Sequence, residues 1–185
     1  FIHEQNAVMG SANKLLSKIA KINFLGFPIK KINRSILSGN PIRESFINNI
    51  DNTQRNQNAI RIYVTGGSQG ANFINQHIPI ALNELPYNIK IKHQCGKNNF
   101  NKVNDLYKAK SFDVEVSEFY DDPAQEILWS DFVISRAGAL SLSEIVSLKR
   151  GALIIPLPTS IDNHQVENAK SIQKIKMGIL HKEKD

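Results

Sequence analysis

Two periodicities take turns along most of the chain. Ile60–Thr65 is a short β-branched run stopped by Gly66-Gly67, and residues 71–85 then carry apolar side chains at helical spacing. The exchange repeats downstream. Residues 89–93, 112–116, 132–134, 152–155 and 177–180 read as strands. Residues 99–109, 123–129, 140–148 and 163–175 read as helices, the second with Pro123 in its first turn. Strands alternating with helices of this length predict βαβ units and an α/β fold built on a parallel sheet. The front of the chain is less regular. Residues 10–22 place Leu15, Leu16, Ile19 and Ile22 at helical spacing, with Ser11 or Asn13 as the cap. Gly26, Pro28, Gly39 and Pro41 then break the pattern, and 38–58, where Ser38-Gly39-Asn40-Pro41 is followed by a polar, Asn-rich stretch around 50–58, reads as a linker.

A doubly wound parallel sheet takes its ligand at the carboxyl ends of its strands, so the chemistry belongs in the strand-to-helix loops. Gly66-Gly67-Ser68-Gln69-Gly70 follows a strand and opens a helix, where free backbone N–H groups and the helix dipole favour an anion. A tight turn that needs glycine for packing alone is the other reading, and both stay open. The spacing is not that of a dinucleotide fingerprint, the next strand ends at His93-Gln94 without a ribose-binding acid, and the Lys-Ser/Thr of a P-loop is missing. Gly138 opens a second glycine-led helix, in which Ser141 and Glu144 have the spacing of a capping box. A carboxylate on that first turn also suits two ribose hydroxyls, so Glu144 is either a cap or a ribose ligand. Asp162-Asn163-His164-Gln165 gathers donors and acceptors suited to sugar hydroxyls, although His164 alone is ordinary surface chemistry. His3-Glu4-Gln5-Asn6 is a polar tetrapeptide after an apolar pair, which fits a strand entering an active-site loop. His3 beside Glu4 is a candidate general base.

Composition narrows the rest. In 185 residues there is no apolar run long enough for a membrane span, and the single Cys95 makes neither an internal disulfide nor, without a His or Cys partner at ligand spacing, a zinc site. An intracellular protein without a metal or cofactor is expected. The net charge of +6 invites nucleic acid, but it comes from 17 Lys and 6 Arg with no aromatic-interleaved basic stripe, and nucleic acid is not an expected partner. The cations cluster instead. Between Glu4 and Glu44 stand Lys14, Lys18, Lys21, Lys30, Lys31, Arg34 and Arg43 with no acid, interleaved with Ile19, Ile22, Phe24, Leu25 and Phe27. An anionic membrane surface and plain solvent both suit such a segment. No G-x-S-x-G supports a serine hydrolase. The first residue is Phe1, so a processed chain or a piece of a longer one is expected.

Taken together, His3-Glu4-Gln5-Asn6, Gly39-Asn40-Pro41-Ile42-Arg43, Gly66-Gly67-Ser68-Gln69-Gly70-Ala71, Glu118-Phe119-Tyr120-Asp121-Asp122, the run from Arg136 to Glu144, and Asp162-Asn163-His164-Gln165 stand in the order and spacing of the MurG family. That family transfers N-acetylglucosamine from UDP-N-acetylglucosamine to undecaprenyl-pyrophosphoryl-muramyl-pentapeptide (lipid I), with inversion, to give lipid II for peptidoglycan synthesis. The resemblance implies a GT-B glycosyltransferase: residues 1–38 as the tail of the N-terminal acceptor domain, 39–58 as the interdomain linker, and 59–185 as a Rossmann-like UDP-sugar-binding domain truncated at its end. It implies that Tyr120 offers its backbone to the uracil and Glu144 holds the ribose. Ser68 and the 139–144 segment (Ala139, Leu140, Ser141, Leu142, Ser143, Glu144) would meet the donor, Gln165 with His164 would read the sugar, and Asn6 and Arg43 would face the cleft. No metal is implied, because backbone N–H groups and helix dipoles can stabilise the departing diphosphate. The glycine-rich loop and histidine that open the family's first domain, where its base is expected, have no counterpart here, so no catalytic residue is assigned. The expected setting is peripheral, on the cytoplasmic face of the bacterial inner membrane, with a separate N-terminal half as a possible partner. This chain alone is expected to bind the donor without transferring it; the alternative is a donor-binding subunit or relic without catalysis.

Overall fold

The computed structural model describes residues 1–47, 58–67, 70–108 and 113–183. The chain opens with β1 (Ile2–Glu4), α1 (Ser11–Leu16), β2 (Asn23–Leu25) and β3 (Ser35–Leu37), then a 3₁₀ turn at Glu44–Phe46. From there it runs β4 (Ile60–Thr65), α2 (Asn72–Asn83), β5 (Ile89–Gln94), α3 (Phe100–Tyr107), β6 (Asp113–Ser117), α4 (Pro123–Trp129), β7 (Phe132–Ser135), α5 (Ala139–Ser147) and β8 (Gly151–Ile154). A second 3₁₀ turn, Ile161–Asn163, leads into α6 (His164–Lys174) and β9 (Gly178–Leu180).

β1, β2 and β3 form a small parallel sheet in that order, and β4 to β9 form a larger parallel one ordered β6-β5-β4-β7-β8-β9. In the larger sheet, β4 alternates its side chains between two cores. Tyr63 points to a layer with Val133, Leu142, Ile145, Ile154 and Ala169, while Ile62 and Val64 point to one with Ile74, Ile91, Val103 and Ile134. Both faces are covered by helices, and the central strands β4, β7 and β8 are accordingly rich in apolar residues, whereas β5 and the edge strand β6 alternate apolar with polar residues. From β4 the chain steps outward through β5 and β6, then returns to β7 on the other side. The loops after β4 and β7 therefore part in opposite directions, leaving a crevice at the carboxyl ends of the strands.

The front departs from its periodicity. The helix expected over 10–22 stops at Leu16, with Gly10 as N-cap and no side-chain cap bond. Asn13 does not cap; its amide donates to the His3 carbonyl at 3.1 Å and to Glu4 Oε2 at 2.9 Å. Leu15 and Ile19 stand exposed, so the periodic face has no partner against which a longer helix would gain burial. β2 and β3, which the pattern does not reveal, are three-residue strands. In the expected linker, Glu44–Phe46 forms a turn that buries Phe46, and 48–57 lies outside the described residues. Phe112, expected to start a strand, lies outside them too, and the strand is described from Asp113. Among the described residues no helix is long and apolar enough to cross a membrane.

Candidate functional site

The turn after β4 needs its glycines. Gly67 and Gly70 have φ of 81° and 74°, and a Cβ on Gly70 would lie 2.2 Å from the Cys95 carbonyl oxygen. Two N–H groups of this turn are taken up within it. Gly67 N–H donates to Thr65 Oγ1 at 3.0 Å and Gly70 N–H to the Gly67 carbonyl at 3.1 Å. Ser68 and Gln69 lie outside the described residues. The open donors sit one step further on. α2 starts behind Ala71 and α5 behind Gly138, neither with a side-chain cap, and the first internal bonds come only from Asn75 N–H to Ala71 and Leu142 N–H to Gly138. Both helix starts line one cavity of about 570 Å³, together with Thr65, Ser135, Arg136 and Gln165. Two helix N-termini facing one space concentrate partial positive charge where a diphosphate fits. Arg136 adds less than its charge suggests, because it bonds the Ile155 and Pro156 carbonyls and pairs with Glu183.

A smaller cavity of about 230 Å³ adjoins the first, sharing Thr65, Gly67 and Ser141, and reaches Arg43, Gln94, Phe119 and Glu144. The capping-box reading of Glu144 falls here. The helix begins at Ala139, Ser141 lies inside it, and Glu144 sits in its second turn, where its Oε1 accepts from Arg43 Nε at 3.2 Å and Nη2 at 3.1 Å. Burial pushes the Glu144 carboxyl above the ordinary glutamate value, with Arg43 pulling the other way. Arg43 also stacks over Phe46, 4.8 Å from the ring centre.

The remaining expected contacts separate into groups. Tyr120 N–H is engaged by Gln94 Oε1 at 3.3 Å, and the Tyr120 ring meets Tyr63 edge-on. Leu140 is exposed beside the helix start, whereas Ala139 is buried and Leu142 wholly so, with its N–H taken by Gly138. The Leu142 side chain therefore packs in the core and lines neither cavity. Ser143 faces the other way; its hydroxyl donates to the Ala139 carbonyl and accepts from Asn40 Nδ2 at 3.0 Å, on a groove shared with the small sheet. Gln165 lines the larger cavity and its Oε1 accepts from Leu157 N–H at 2.9 Å. His164 lines neither cavity; its Nδ1 lies 2.7 Å from the Ile161 carbonyl. Asn6 is also outside both walls, with its Oδ1 accepting from Asn168 Nδ2 at 3.1 Å.

His3, the candidate general base, has its Nε2 3.2 Å from the Gly39 carbonyl and lines neither of the two cavities, and its neighbour Glu4 serves another purpose. Burial alone pushes its carboxyl up, but donors from Asn6, Asn13 and Gly10 outweigh that and hold it below the usual range as a loop anchor. Two buried amides escaped the sequence reading. Asn168 accepts from Ala7 N–H at 2.7 Å and donates to Asn6 and to the Ala137 carbonyl, tying the small sheet's loop to the start of α5. Gln94 bonds to loops on both of its sides. The signal for Asn168 was a polar residue one turn beyond Gln165 and next to Ala169 on a helix; for Gln94 it was only a polar residue closing a strand.

Residues 61–185 match the family described as glycosyltransferase family 28 C-terminal domain. A UDP-N-acetylglucosamine--N-acetylmuramyl-(pentapeptide) pyrophosphoryl-undecaprenol N-acetylglucosamine transferase from Aeromonas hydrophila is 37% identical over 174 residues, covering 92% of this chain and 48% of the relative. A transferase of the same name from Tolumonas auensis is 38% identical, covering 100% of this chain and 53% of the relative. The crystal structure of Acinetobacter baumannii MurG superposes with a TM-score of 0.85 at 31% identity, over 98% of this chain and 52% of that one. The glycosyltransferase SnogD from Streptomyces nogalater shares the fold, with a TM-score of 0.57 at 15% identity over 87% of this chain and 44% of its own. The chain thus spans about half the length of the curated relatives it matches.

Proposed function

The chain belongs to glycosyltransferase family 28, matching its C-terminal domain, and from that premise we propose that it holds UDP-N-acetylglucosamine for transfer to lipid I, giving lipid II with inversion. The observation that carries this is the convergence of two helix starts without side-chain caps on one cavity, with Glu144 at its shoulder. The diphosphate lies against the N–H groups opening α2 and α5. As the sugar leaves, the negative charge growing on the UDP stays in a field already pointed at it, which is transition-state stabilisation without rearrangement. Ser68, which lies outside the described residues, is assigned to this contact from its place in the Gly66–Gly70 motif alone. Glu144 accepts from the ribose hydroxyls, exchanging the Arg43 guanidinium for them. The base sits by Phe119 and Tyr120, where the Tyr120 carbonyl is the backbone group left to offer. Gln165 reads the sugar hydroxyls, with His164 beyond it, while Asn6 and Arg43 form the acceptor-facing side. The proton acceptor for the incoming hydroxyl comes from outside these residues.

Lys14, Lys18 and Lys21 beside the exposed Leu15 and Ile19 support peripheral docking on an anionic inner-membrane face. Calorimetric titration tests the core of the proposal: UDP-N-acetylglucosamine binds and NAD does not. Glu144→Ala weakens UDP binding at least about tenfold, close to 1.4 kcal/mol; unchanged affinity refutes the ribose role. Because the folded carboxyl titrates above its ordinary value, wild-type affinity declines on acidification before an ordinary glutamate would protonate. Turnover of lipid I by the isolated chain would favour a complete catalyst over a donor-binding module.

A further inference from the structure

Resting on the donor reading above, we propose that Gln94 is a positioning residue that fixes the distance between the base half and the diphosphate half of the site. Gln94 is the last residue of β5, the strand between β4 and β6, and its Cα lies opposite Thr65 on one side and Ser117 on the other. Those are the last residues of the two neighbouring strands; on the β6 side backbone bonds run on, from Cys95 N–H to the Ser117 carbonyl at 2.9 Å and from Gly96 N–H to the Glu118 carbonyl at 3.1 Å, whereas on the β4 side no such bond is described past Thr65. The Gln94 side chain carries the connection one step further. Its Oε1 accepts from Tyr120 N–H, in the loop after β6, at 3.3 Å, and from the Tyr63 hydroxyl at 3.3 Å. Its Nε2 donates to the Gly67 carbonyl, in the glycine turn after β4, at 3.1 Å.

The chemistry demands an amide of this length. One end must accept and the other donate, which neither glutamate nor methionine can do, and asparagine is a methylene too short to span both loops. The side chain is 3% exposed, so its bonds are made away from competing water. The two loops it joins serve different parts of the proposed ligand. Gly67 lines both cavities beside the start of α2, whereas Phe119, next to Tyr120, lines only the smaller one. A ligand that touches one loop does not depend on their separation. A ligand that spans both does, because it must order them itself if they are not already held.

The test is an NMR titration of the 185-residue chain and its Gln94→Met and Gln94→Asn variants with three uncomplicated probes: uridine, inorganic diphosphate and UDP. In each variant UDP is expected to bind about tenfold more weakly, while uridine and diphosphate each stay within about threefold of wild type. If one variant fails to fold, the other carries the same comparison. Variants that bind UDP as wild type does overturn the positioning role and leave the donor reading standing. Variants that lose all three probes in proportion also overturn it, since Gln94 would then be shaping each half separately. A wild-type chain that binds no UDP removes the donor reading and this inference with it.

Discussion

The two sheets are built alike and held differently. In the six-stranded sheet the strands sit between helices, and residues such as Ile74, Ile91 and Ile154 are shut off from water. In the three-stranded sheet β3 is exposed at every residue and α1 buries none. What holds the smaller sheet is a few apolar anchors, Leu25, Phe27 and Phe46, and a set of buried amides and one carboxylate that each satisfy several backbone groups. Apolar area is non-directional and scales with contact, so it makes the larger unit stable. Polar staples are directional, so they fix where a small unit sits.

The strongest way to break the contrast is to hollow each unit in turn. Ile154→Ala, in the larger core, is expected to lower unfolding free energy by about 2–5 kcal/mol in urea denaturation, while Leu37→Ala on β3 changes it by less than about 0.5 kcal/mol. Equal losses would mean that the small sheet has a core of its own. Acidification probes the larger unit through His93, which lies fully buried between Tyr107 and Asn75. Burial pushes its pKa down from 6.5 to about 3, so folding requires the neutral ring. The stability tied to that ring is fully present above the unfolded value and drains away as pH falls from 6.5 toward 3. At pH 5 it should be lower by about 2 kcal/mol than at pH 7, and a flat profile in a His93→Asn variant is the expected control. The join is tested last. Asn168→Ala should cost about 1–3 kcal/mol and speed hydrogen exchange in β1 and β2 at least about tenfold, with β4 and β7 little changed. A uniform acceleration would show that the two sheets open as one.

The same contrast explains what was legible beforehand. β4, β7 and β8 are rich in β-branched and apolar residues and β5 alternates Ile with polar residues, and all four are bounded by helices, so their pattern survives without coordinates. β2 and β3 contain Asn23 and Ser35, run for three residues and leave no alternation to read. The helix over 10–22 was overdrawn because Leu15, Leu16 and Ile19 are periodic yet meet no second surface. Within the site, Glu144 and Gln165 were visible because they stand in helices opened by a glycine-led or a polar stretch. The Arg43–Glu144 pair was not, since it joins residues from different ends of the chain, and Gln94 and Asn168 act through register and helix turn, not through any motif.

The all-parallel ladder also sets an order of events in time. No strand of the large sheet can close on its sequence neighbour by a tight hairpin; each pairing waits for an intervening helix. β4, the first of the six to be synthesised, gains its second partner only when β7 is available, because Ile62 pairs with Phe132. During translation one edge of that apolar strand therefore stays open while the whole β5–α4 stretch emerges. Assembly this non-local is slow, and its vulnerable interval falls before the crevice exists at all.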